Sequence, residues 1–406
     1  MPGPALSRAG ALFRVSRRLL ATFAAATAMA ALAACTSTNL NTFTSDQPPG
    51  QPTEAQPGAQ IGTGQVRVGL ILPLSAPGNA GLAAQSMRNA AEMAIAEFKN
   101  PNIQLLVKDD AGNPQNAQAA AQQAMGEGAE IIIGPLFAQA VNAVGVAARQ
   151  RNIPVIAFST DASVATRGVY LLSFLPETDV RRIVEYQISR GKRSFAALLP
   201  DNPYGTVVQA AFQQDVASRG GRVLAIEKYP SDPNRIAEPV QRVAQVANQV
   251  ESIFIPDGAD AVPQVVRALA AANVNLRRVQ LLGTGLWDDP RIFSDKELQG
   301  GLYAAPETEG FRNFTKRYRA RYNQDPVRTA TLAYDAVALV AALVKTQGAQ
   351  RFSEQVLTNS SGFAGIDGVF RFRPDGTNER GLAVMRVTPN GGQIVNPAPK
   401  SFRPGT

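Results

Sequence analysis

"VRVGLILPL", residues 66–74, is an apolar run rich in β-branched side chains, of the kind that forms a buried strand. A segment of helical period follows at 82–98, and its apolar residues share one face: Met87, Ala91, Ala94, Ile95 and Phe98. The alternation continues through three further strand-like runs and the helical segments between them: "IQLLVKDD" (103–110), "AEIIIGP" (129–135) and "IPVIAFS" (153–159). Such alternation predicts a parallel, doubly wound sheet with helices on both faces.

A second set of alternating segments begins near Thr178. Its strand-like runs are "SFAALLP" (194–200), "RVLAIEKY" (222–229), "ESIFIP" (251–256) and "VQLLGT" (279–284). The roughly 330 residues from Gln65 onward are too many for one ordinary sheet. We therefore expect an α/β fold of two Rossmann-like, doubly wound lobes with a cleft between them. The pair Asp375–Gly376 predicts a turn between two late strands.

The composition limits the possible chemistry. The chain has 406 residues, no histidine and one cysteine, Cys35. These counts exclude Ser-His-Asp triads, Cys-His nucleophile pairs, imidazole bases and histidine-rich zinc sites. Walker loops and dinucleotide fingerprints are also absent from the sequence, so we expect a protein that is not an enzyme and has no cofactor or metal site. Four arginines of residues 1–34 inflate the net charge of +8; the rest of the chain has 36 basic and 32 acidic residues, which argues against nucleic-acid binding.

The N-terminus has the layout of a signal peptide over residues 1–34. Four arginines and no acidic residue precede an apolar stretch of about 16 residues, shorter than the roughly 20 that span a bilayer. The stretch ends in Leu32-Ala33-Ala34-Cys35, which resembles the bacterial lipobox. That resemblance implies a diacylated Cys35 as the mature N-terminus. Because Thr36 and not Asp follows, it also implies a periplasmic protein anchored by lipid, with the outer membrane favoured.

Residues 35–64 then read as a lipidated, flexible tether. The segment is rich in Thr, Ser, Gln, Pro and Gly and carries little charge. About 29 such residues have a root-mean-square span on the order of 30 Å, enough to hold a folded domain clear of the lipid headgroups.

From Gln65 to about Pro389 the order of motifs resembles the type I periplasmic solute-binding proteins of the leucine/isoleucine/valine class. The motifs include "VGLILPLS" (68–75), "DDAGNPQNAQAAAQQAM" (109–125), "AEIIIGPLFA" (129–138), "IPVIAFSTDA" (153–162) and "DNPYGTVVQAAF" (201–212). The resemblance implies two lobes joined by three chain crossings. It assigns residues 65–177 and 286–363 to the first lobe, 178–285 and 364–395 to the second, and 396–406 to a tail.

Ligand chemistry in this fold is expected where strand C-termini meet helix N-termini at the cleft, because unpaired backbone N–H groups there attract carboxylates. Ser159 and Thr160 are candidates for ligand hydroxyl contacts, with N-capping of the next helix as the alternative. The side chain of Tyr204 either lines the cleft or packs beside it. The full set of candidates is Ser75, Asn79, Phe137, Ala138, Gln139, Ser159, Thr160, Asp161, Tyr204, Asp257 and Asp260.

The candidate loops depart from the amino-acid binders of the family. Phe137, Ala138 and Gln139 stand where serine is usual, Asp161 stands where threonine is usual, and Ala261 replaces an acidic residue, for which Asp257 or Asp260 could substitute. Two roles therefore stay open. One is capture of a small polar ligand such as an amino acid for an ABC permease, through hinge closure. The other is that of penicillin-binding protein activators, lipoproteins of the same fold that stimulate a peptidoglycan synthase.

Overall fold

The computed structural model describes residues 60–402, and its strands form three sheets. The first sheet contains β1 (Gln60–Ile61), β2 (Val66–Leu72), β3 (Ile103–Asp109), β4 (Ala129–Ile133), β5 (Val155–Ala157) and β6 (Val169–Leu171). The second contains β7 (Ser194–Pro200), β8 (Arg222–Tyr229), β9 (Ser252–Phe254), β10 (Gln280–Gly283) and β11 (Leu302–Ala305). The small third sheet is β12 (Phe363–Gly365), β13 (Gly368–Phe372) and β14 (Asn378–Arg380), and β15 (Ala383–Thr388) and β16 (Gly391–Asn396) return to the second.

The helices of residues 60–402 occupy the segments between these strands. They are α1 (Asn79–Glu97), α2 (Pro114–Gly126), α3 (Ala138–Arg149), α4 (Pro176–Ser189), α5 (Pro203–Ser218), α6 (Ala237–Val246), α7 (Val262–Ala271), α8 (Pro290–Phe293), α9 (Thr308–Tyr322), α10 (Ala330–Thr346) and α11 (Glu354–Leu357). Several begin where the sequence provides a cap: the side chain of Asn113 accepts hydrogen bonds at the start of α2, and that of Asn202 does so at α5.

The first lobe is built on the sheet ordered β1-β3-β2-β4-β5-β6. All neighbours are parallel except β1, which runs antiparallel to β3. Helices α1 and α10 cover one face, and α2 and α3 cover the other. Met87, Ala91 and Ala94 of α1 are buried as their helical spacing predicts. Burial on both faces explains why the strands are almost continuously apolar, and the predicted doubly wound architecture is confirmed.

The second lobe is built on the sheet ordered β16-β15-β11-β10-β9-β7-β8. Its five strands from the middle of the chain are parallel, whereas β15 and β16 are antiparallel additions at the β11 edge. Helices α4 and α5 pack on one face, and α6 and α7 on the other. The chain therefore forms two parallel-sheet lobes, as the sequence predicts.

The two later crossings between the lobes lie at other positions than the sequence predicts. Segment 286–305 belongs to the second lobe, because β11 pairs with β10 and β15 and because Trp287 lies in that lobe's core. Segment 364–380 instead packs on the first lobe, where Phe370 and Phe372 join its core. The boundaries expected at 286 and 364 are thus wrong, and the chain crosses near 306 and 381. The expected turn at Asp375–Gly376 does connect β13 and β14.

The ends of the described region are more ordered than the sequence suggests. Gln60 and Ile61 pair with β3, and Gly64 donates a backbone hydrogen bond to Ile103 at 3.2 Å, so the predicted tether cannot extend to residue 64. At the other end, the ring of Phe402 lies 4.6 Å from the guanidinium carbon of Arg371, so the expected tail packs against the body at least this far.

Several expectations fall outside the described residues. The signal peptide at 1–34, the lipidation of Cys35, the tether up to residue 59 and the tail beyond residue 402 are among them. Within residues 60–402, no helix combines the length and apolar character needed to cross a membrane.

The single tryptophan shapes the core of the second lobe. Trp287 is fully buried, and its indole N–H donates to the carbonyl of Ile255 at 3.0 Å. The ring lies directly against Gly283 at the end of β10, where a Cβ would come within 2.2 Å of ring atoms. Only glycine fits beside this indole without moving it.

We predict that Gly283→Ala destabilises the protein by at least about 2 kcal/mol, because the added methyl forces Trp287 out of its packed position. Chemical denaturation followed by tryptophan fluorescence measures this directly. The matched control is Gly126→Ala at the end of α2, where a Cβ meets no atom within 4 Å, so its stability should be unchanged or slightly raised. Equal stability of the two variants would contradict the packing argument.

Candidate functional site

The candidate loops of the first lobe follow adjacent parallel strands, and they therefore share the carboxyl edge of the sheet. Backbone hydrogen bonds tie the loops together: Asp110 N donates to Leu72 O at 3.1 Å, and Phe158 N donates to Pro135 O at 3.0 Å. The ring of Phe137 lies beside Gly112, where a Cβ would be 3.3 Å away. The sequence-based expectation that these loops converge agrees with this arrangement.

At this edge, Ser159 and Asp161 are used by the local fold. Ser159 is buried, and its hydroxyl oxygen accepts a hydrogen bond from the backbone N of Asp161 at 3.1 Å. Asp161 in turn accepts from Ser163 N at 2.9 Å, which caps a short 3₁₀ turn. The capping role considered for Ser159 and Thr160 is thus filled by Asp161. Thr160 itself is exposed.

The remaining candidates of the first lobe present their side chains to the solvent side of the edge. Ser75, Asn79, Phe137 and Gln139 are exposed, and Ala138 is half-buried at the first position of α3. The Phe137 side chain retains 39% of its accessible surface. An exposed aromatic ring at a cleft edge is available to cover a ligand.

The second-lobe candidates Asp257 and Asp260 are both engaged within the lobe. Asp257 accepts a hydrogen bond from the Tyr229 hydroxyl at 2.8 Å and another from Gly258 N at 2.7 Å. Asp260 is exposed and forms an ion pair with Arg291 on the surface. Tyr204 differs, because its ring faces a cavity at the junction of the lobes.

That cavity has a volume of about 440 Å³ and takes its walls from both lobes. Phe174 and Pro176 come from the first crossing, and Pro306 and Thr308 come from the second. The remaining wall residues are Asp179, Tyr204, Gly285, Leu286, Asp288, Ala305, Glu307, Phe311 and Arg328. We call this space the hinge cavity. Its size suits a small organic molecule.

Six of the thirteen wall residues of the hinge cavity are polar or charged, and hydrogen bonds hold several of them in place. The Tyr204 hydroxyl lies 3.1 Å from the Thr284 hydroxyl, and burial raises the pKa of this phenol. A carboxylate oxygen of Asp179 accepts the backbone N–H of Gly285 at 2.9 Å. Burial raises the pKa of Asp179 to about 7, although the Gly285 hydrogen bond and the charge of Arg380 oppose the shift.

Arg328 forms the side of the hinge cavity that belongs to the first lobe. Its guanidinium makes two hydrogen bonds to the buried carboxylate of Asp367, at 2.9 and 2.6 Å. The same guanidinium carbon lies 4.7 Å from the centroid of Phe174 and 4.5 Å from that of Phe311. A bidentate ion pair stacked on two rings fixes the position of the charge at the wall.

A second arginine packs on the same ring from the third crossing. The guanidinium carbon of Arg380 lies 4.7 Å from the Phe174 centroid, and its Nε donates to Ser173 O at 3.0 Å. Asn378 donates from its amide to the carbonyls of Leu171 and Ser173, both at 2.8 Å. The first and third crossings are thereby joined to each other. We call Phe174, Arg328, Arg380 and Asp367 the hinge cluster.

Asp335 is a further buried carboxyl group beside the hinge cluster. One oxygen accepts the backbone N–H of Ile366 at 2.9 Å, and the other has no partner among the described residues. A Cβ at Gly365 would lie 2.4 Å from this second oxygen, so the backbone of β12 closes over it. Burial raises the pKa of Asp335 to about 7.

Sequence reasoning found Tyr204 but missed the other polar residues of the hinge cavity. Asp179, Asp288 and Arg328 lie far apart in the chain, and no local motif connects them. One signal was present: Phe174 and Asp179 flank the predicted first crossing at 177/178, where hinge chemistry is to be expected. Among residues 60–402, no group of three Cys, Asp or Glu side chains is placed to hold a metal ion.

Two parallel-sheet lobes joined by three crossings around a ligand-sized cavity define a two-lobed binding protein. A family model described as "Periplasmic binding protein" matches residues 65–393. The chain belongs to this family, whose members are solute-binding proteins and not enzymes. The resemblance inferred from the motif order is confirmed.

Solved structures of such proteins share the fold. A putative branched-chain amino acid ABC transporter protein from Rhodospirillum rubrum matches with a TM-score of 0.72 at 18% identity, covering 81% of this chain and 99% of that one. A solute-binding protein from Rhodopseudomonas palustris, in complex with 3,4-dihydroxybenzoic acid, matches with a TM-score of 0.56 at 20% identity, covering 83% and 97%.

Curated relatives match over shorter stretches. The uncharacterized protein RP748 of Rickettsia prowazekii is 24% identical over 139 residues, which is 34% of this chain and 37% of that protein. The penicillin-binding protein activator LpoA of Pantoea ananatis is 27% identical over 174 residues, which is 43% of this chain and 24% of the activator. The matched region is thus well under half the length of either relative.

We predict that Asp335→Asn stabilises the protein more at pH 8 than at pH 5. The carboxyl pKa is near 7 in the folded state and near 3.8 in the unfolded chain, so the unfolded state loses its proton first and wild-type stability falls as pH rises between these values. The advantage of the variant should grow by on the order of 2 kcal/mol across this interval. Urea denaturation at both pH values measures it, and a pH-independent difference would refute the assignment.

Proposed function

We propose that this protein is an extracytoplasmic solute-binding protein that captures a small ligand between its lobes and presents it to an ABC permease. The observation that supports this proposal best is the hinge cavity, whose walls come from both lobes. A ligand that touches both lobes binds the closed arrangement more tightly than the open one and so shifts the protein toward closure.

The walls of the hinge cavity indicate the chemical class of the ligand. Phe174, Leu286 and Phe311 offer apolar surface, whereas Asp179, Tyr204 and Arg328 offer a few fixed polar contacts. A small molecule with an apolar side chain or ring at one end and a charged or hydroxyl group at the other fits this pattern. Branched-chain amino acids and hydroxylated aromatic acids both belong to this class, and the names of the structural relatives include both.

The edge loops of both lobes supply a second set of proposed contacts. Leu286 is 48% exposed on the second lobe and Phe137 is 39% exposed on the first, so both can cover a ligand when the lobes close. The other proposed contacts are the hydroxyl, amide and carboxylate groups nearby: Ser75, Asn79, Gln139, Ser159, Thr160, Asp161, Asp257 and Asp260, together with the backbone at Ala138.

We predict that a thermal-shift screen with leucine, isoleucine, valine, benzoate and 3,4-dihydroxybenzoate yields a stabilising ligand. Tyr204→Phe should weaken its binding about tenfold, because the hydroxyl facing the cavity is lost. The matched control is Tyr334→Phe, which removes a phenol hydroxyl bonded to Glu97 at 2.7 Å in the first lobe, away from the hinge cavity. The transport role is contradicted if no amino acid or aromatic acid stabilises the protein. Equal ligand affinities of the two variants would place the ligand outside the hinge cavity.

We also predict a pH dependence that reports the charge of the ligand. Asp179 has a pKa of about 7, so its charge changes between pH 6 and pH 8. A ligand that places an ammonium group beside Asp179 should bind more tightly as pH rises, and one that places a carboxylate there should bind more weakly. Calorimetry across this interval distinguishes the two. Asp179→Asn should abolish the dependence; its persistence in the variant would exclude Asp179 as the titrating contact.

A second candidate role is that of a penicillin-binding protein activator. The match to LpoA of Pantoea ananatis over 174 residues favours it. In this role an outer surface of either lobe binds a peptidoglycan synthase without a ligand. Pull-down with a purified synthase, together with its glycan polymerisation rate in the presence of this protein, tests the role. Binding with faster polymerisation supports it, and failure of both measurements rules it out.

The proposed anchor is common to both roles. Diacylation of Cys35 would hold the protein at the membrane surface, because two or more acyl chains bind durably whereas one does not. We predict that the wild-type protein fractionates with membranes, with the outer membrane enriched, and that Cys35→Ser remains in the soluble fraction. Mass spectrometry of the mature N-terminus gives an independent readout, and an unmodified Cys35 would contradict the anchor.

A further inference from the structure

A second cavity, of about 490 Å³, lies at the third crossing between the lobes. One wall is the face of α4 that carries Arg181, Arg182 and Glu185. The opposite wall is formed by Arg371 and Arg380 of the third sheet, and residues 396–402 close one side. None of the residues that line the hinge cavity lines this one. We call it the arginine cavity.

The carboxylates in the arginine cavity do not neutralise its cations. Four arginines and two glutamates line it. Glu379 is already shared between Arg371, at 2.8 Å, and Arg373, at 3.1 Å. Glu185 is exposed and makes no ion pair within residues 60–402. Arg182, on the α4 wall, and Arg380, on the opposite wall, form no ion pair within residues 60–402.

Arg380 is the least satisfied of these cations. Its side chain is 5% exposed, and its Nε donates to the Ser173 carbonyl, but Nη1 and Nη2 have no hydrogen-bond partner among the described residues. Asp367, Asp335 and Asp179 are close enough to act on its charge, yet none of them accepts a hydrogen bond from it. Leaving the buried donors of a charged group without partners is unfavourable, which makes an unpaired guanidinium here a candidate contact for an anion.

Arg182 lies on the facing wall with only neutral partners. It donates to the backbone carbonyl of Leu382 at 2.8 Å and to the side-chain oxygen of Asn396. Arg181 beside it has Asp215 as its nearest carboxylate, at 3.9 Å. Desolvation lowers the pKa of both Arg182 and Arg380, and the nearby carboxylates, Glu185 for Arg182 and Asp367 for Arg380, oppose this only in part.

We propose that the arginine cavity binds a small oxyanion, with a phosphate or carboxylate group facing Arg380 and Arg182. Guanidinium groups suit such oxyanions because their N–H donors match the spacing of the oxygens. The bound anion would supply acceptors to the free donors of Arg380 and an ion-pair partner to Arg182. This site is separate from the proposed ligand site, since it uses a different cavity.

The position of the site links the anion to the hinge. Arg182 belongs to α4 of the second lobe, and Arg380 ends β14, which packs on the first lobe. An anion held between them spans the two lobes at the third crossing. It therefore stabilises one lobe orientation, and by linkage the anion and the cleft ligand change each other's affinity by the same factor.

The test is titration of the full-length protein with inorganic phosphate and, separately, with acetate at constant ionic strength, followed by calorimetry and thermal shift. Wild-type protein should bind at least one of them saturably, with a dissociation constant in the millimolar range or below. Arg380→Gln should weaken binding tenfold or more. Arg182→Gln removes the second proposed contact and should weaken anion binding severalfold, which tests the proposal if the Arg380 variant does not fold.

Two control variants show whether the anion binds in the arginine cavity or elsewhere on the protein. Arg351→Gln removes an arginine paired with Glu130 on the first lobe, and Arg242→Gln removes one paired with Glu227 on the second. Neither arginine lines either cavity, so both variants should retain wild-type anion affinity. Tighter binding of phosphate than of acetate assigns a phosphate-type ligand, and the reverse assigns a carboxylate. No saturable binding by wild type, or wild-type affinity in both the Arg380 and Arg182 variants, would overturn the proposal.

Discussion

Two guanidinium groups packed on the ring of Phe174 are the contact on which the rest of the molecule depends. Arg328 reaches the ring from the segment that precedes α10, and Arg380 reaches it from the end of β14, so one side chain of the first crossing holds both later parts of the chain. Two cations this close repel each other, and the buried carboxylate of Asp367 compensates through its bidentate pair with Arg328. The ring of Phe174 also lines the hinge cavity. The same contact therefore sets the position of the crossings and the shape of the cavity.

The acidic side chains of the edge loops differ from the acidic side chain of the hinge cavity in how they are used. Asp257 and Asp161, which the sequence offers as ligand contacts, already accept hydrogen bonds from their own lobes. In the hinge cavity, by contrast, Asp179 is held near the midpoint of its titration at neutral pH. The departures of the edge loops from the amino-acid-binding pattern therefore fit the proposed ligand site at the hinge, whose side chains also join the crossings.

The sequence was sufficient for the architecture because strands buried on both faces are read as continuous apolar runs, and helices between them keep their period, as at Met87 and Ala91. It did not predict the positions of the later crossings. β11 has only four residues and resembles a loop in the sequence, and nothing near Trp287 indicates which lobe's core it enters. Local sequence patterns could not predict the hinge cluster. Phe174, Arg328, Asp367 and Arg380 carry no shared motif, and only the completed fold brings them together. Tyr204 was identified because it opens a helix directly after a strand.

The pairing of β11 with β15 has a consequence for how the chain acquires its structure. Tyr303 lies opposite Met385, so the second sheet is finished by a strand that follows β11 only after α9, α10 and the third sheet. The first lobe is likewise complete only when α10 covers one face of its sheet. A chain that emerges N-terminus first, from a ribosome or through a membrane pore, can thus complete the first lobe only after α10 is free and the second only after β15 is free. Such long-range closure slows folding and leaves apolar strands uncovered in the meantime, which makes protection from aggregation during biogenesis a requirement of this topology.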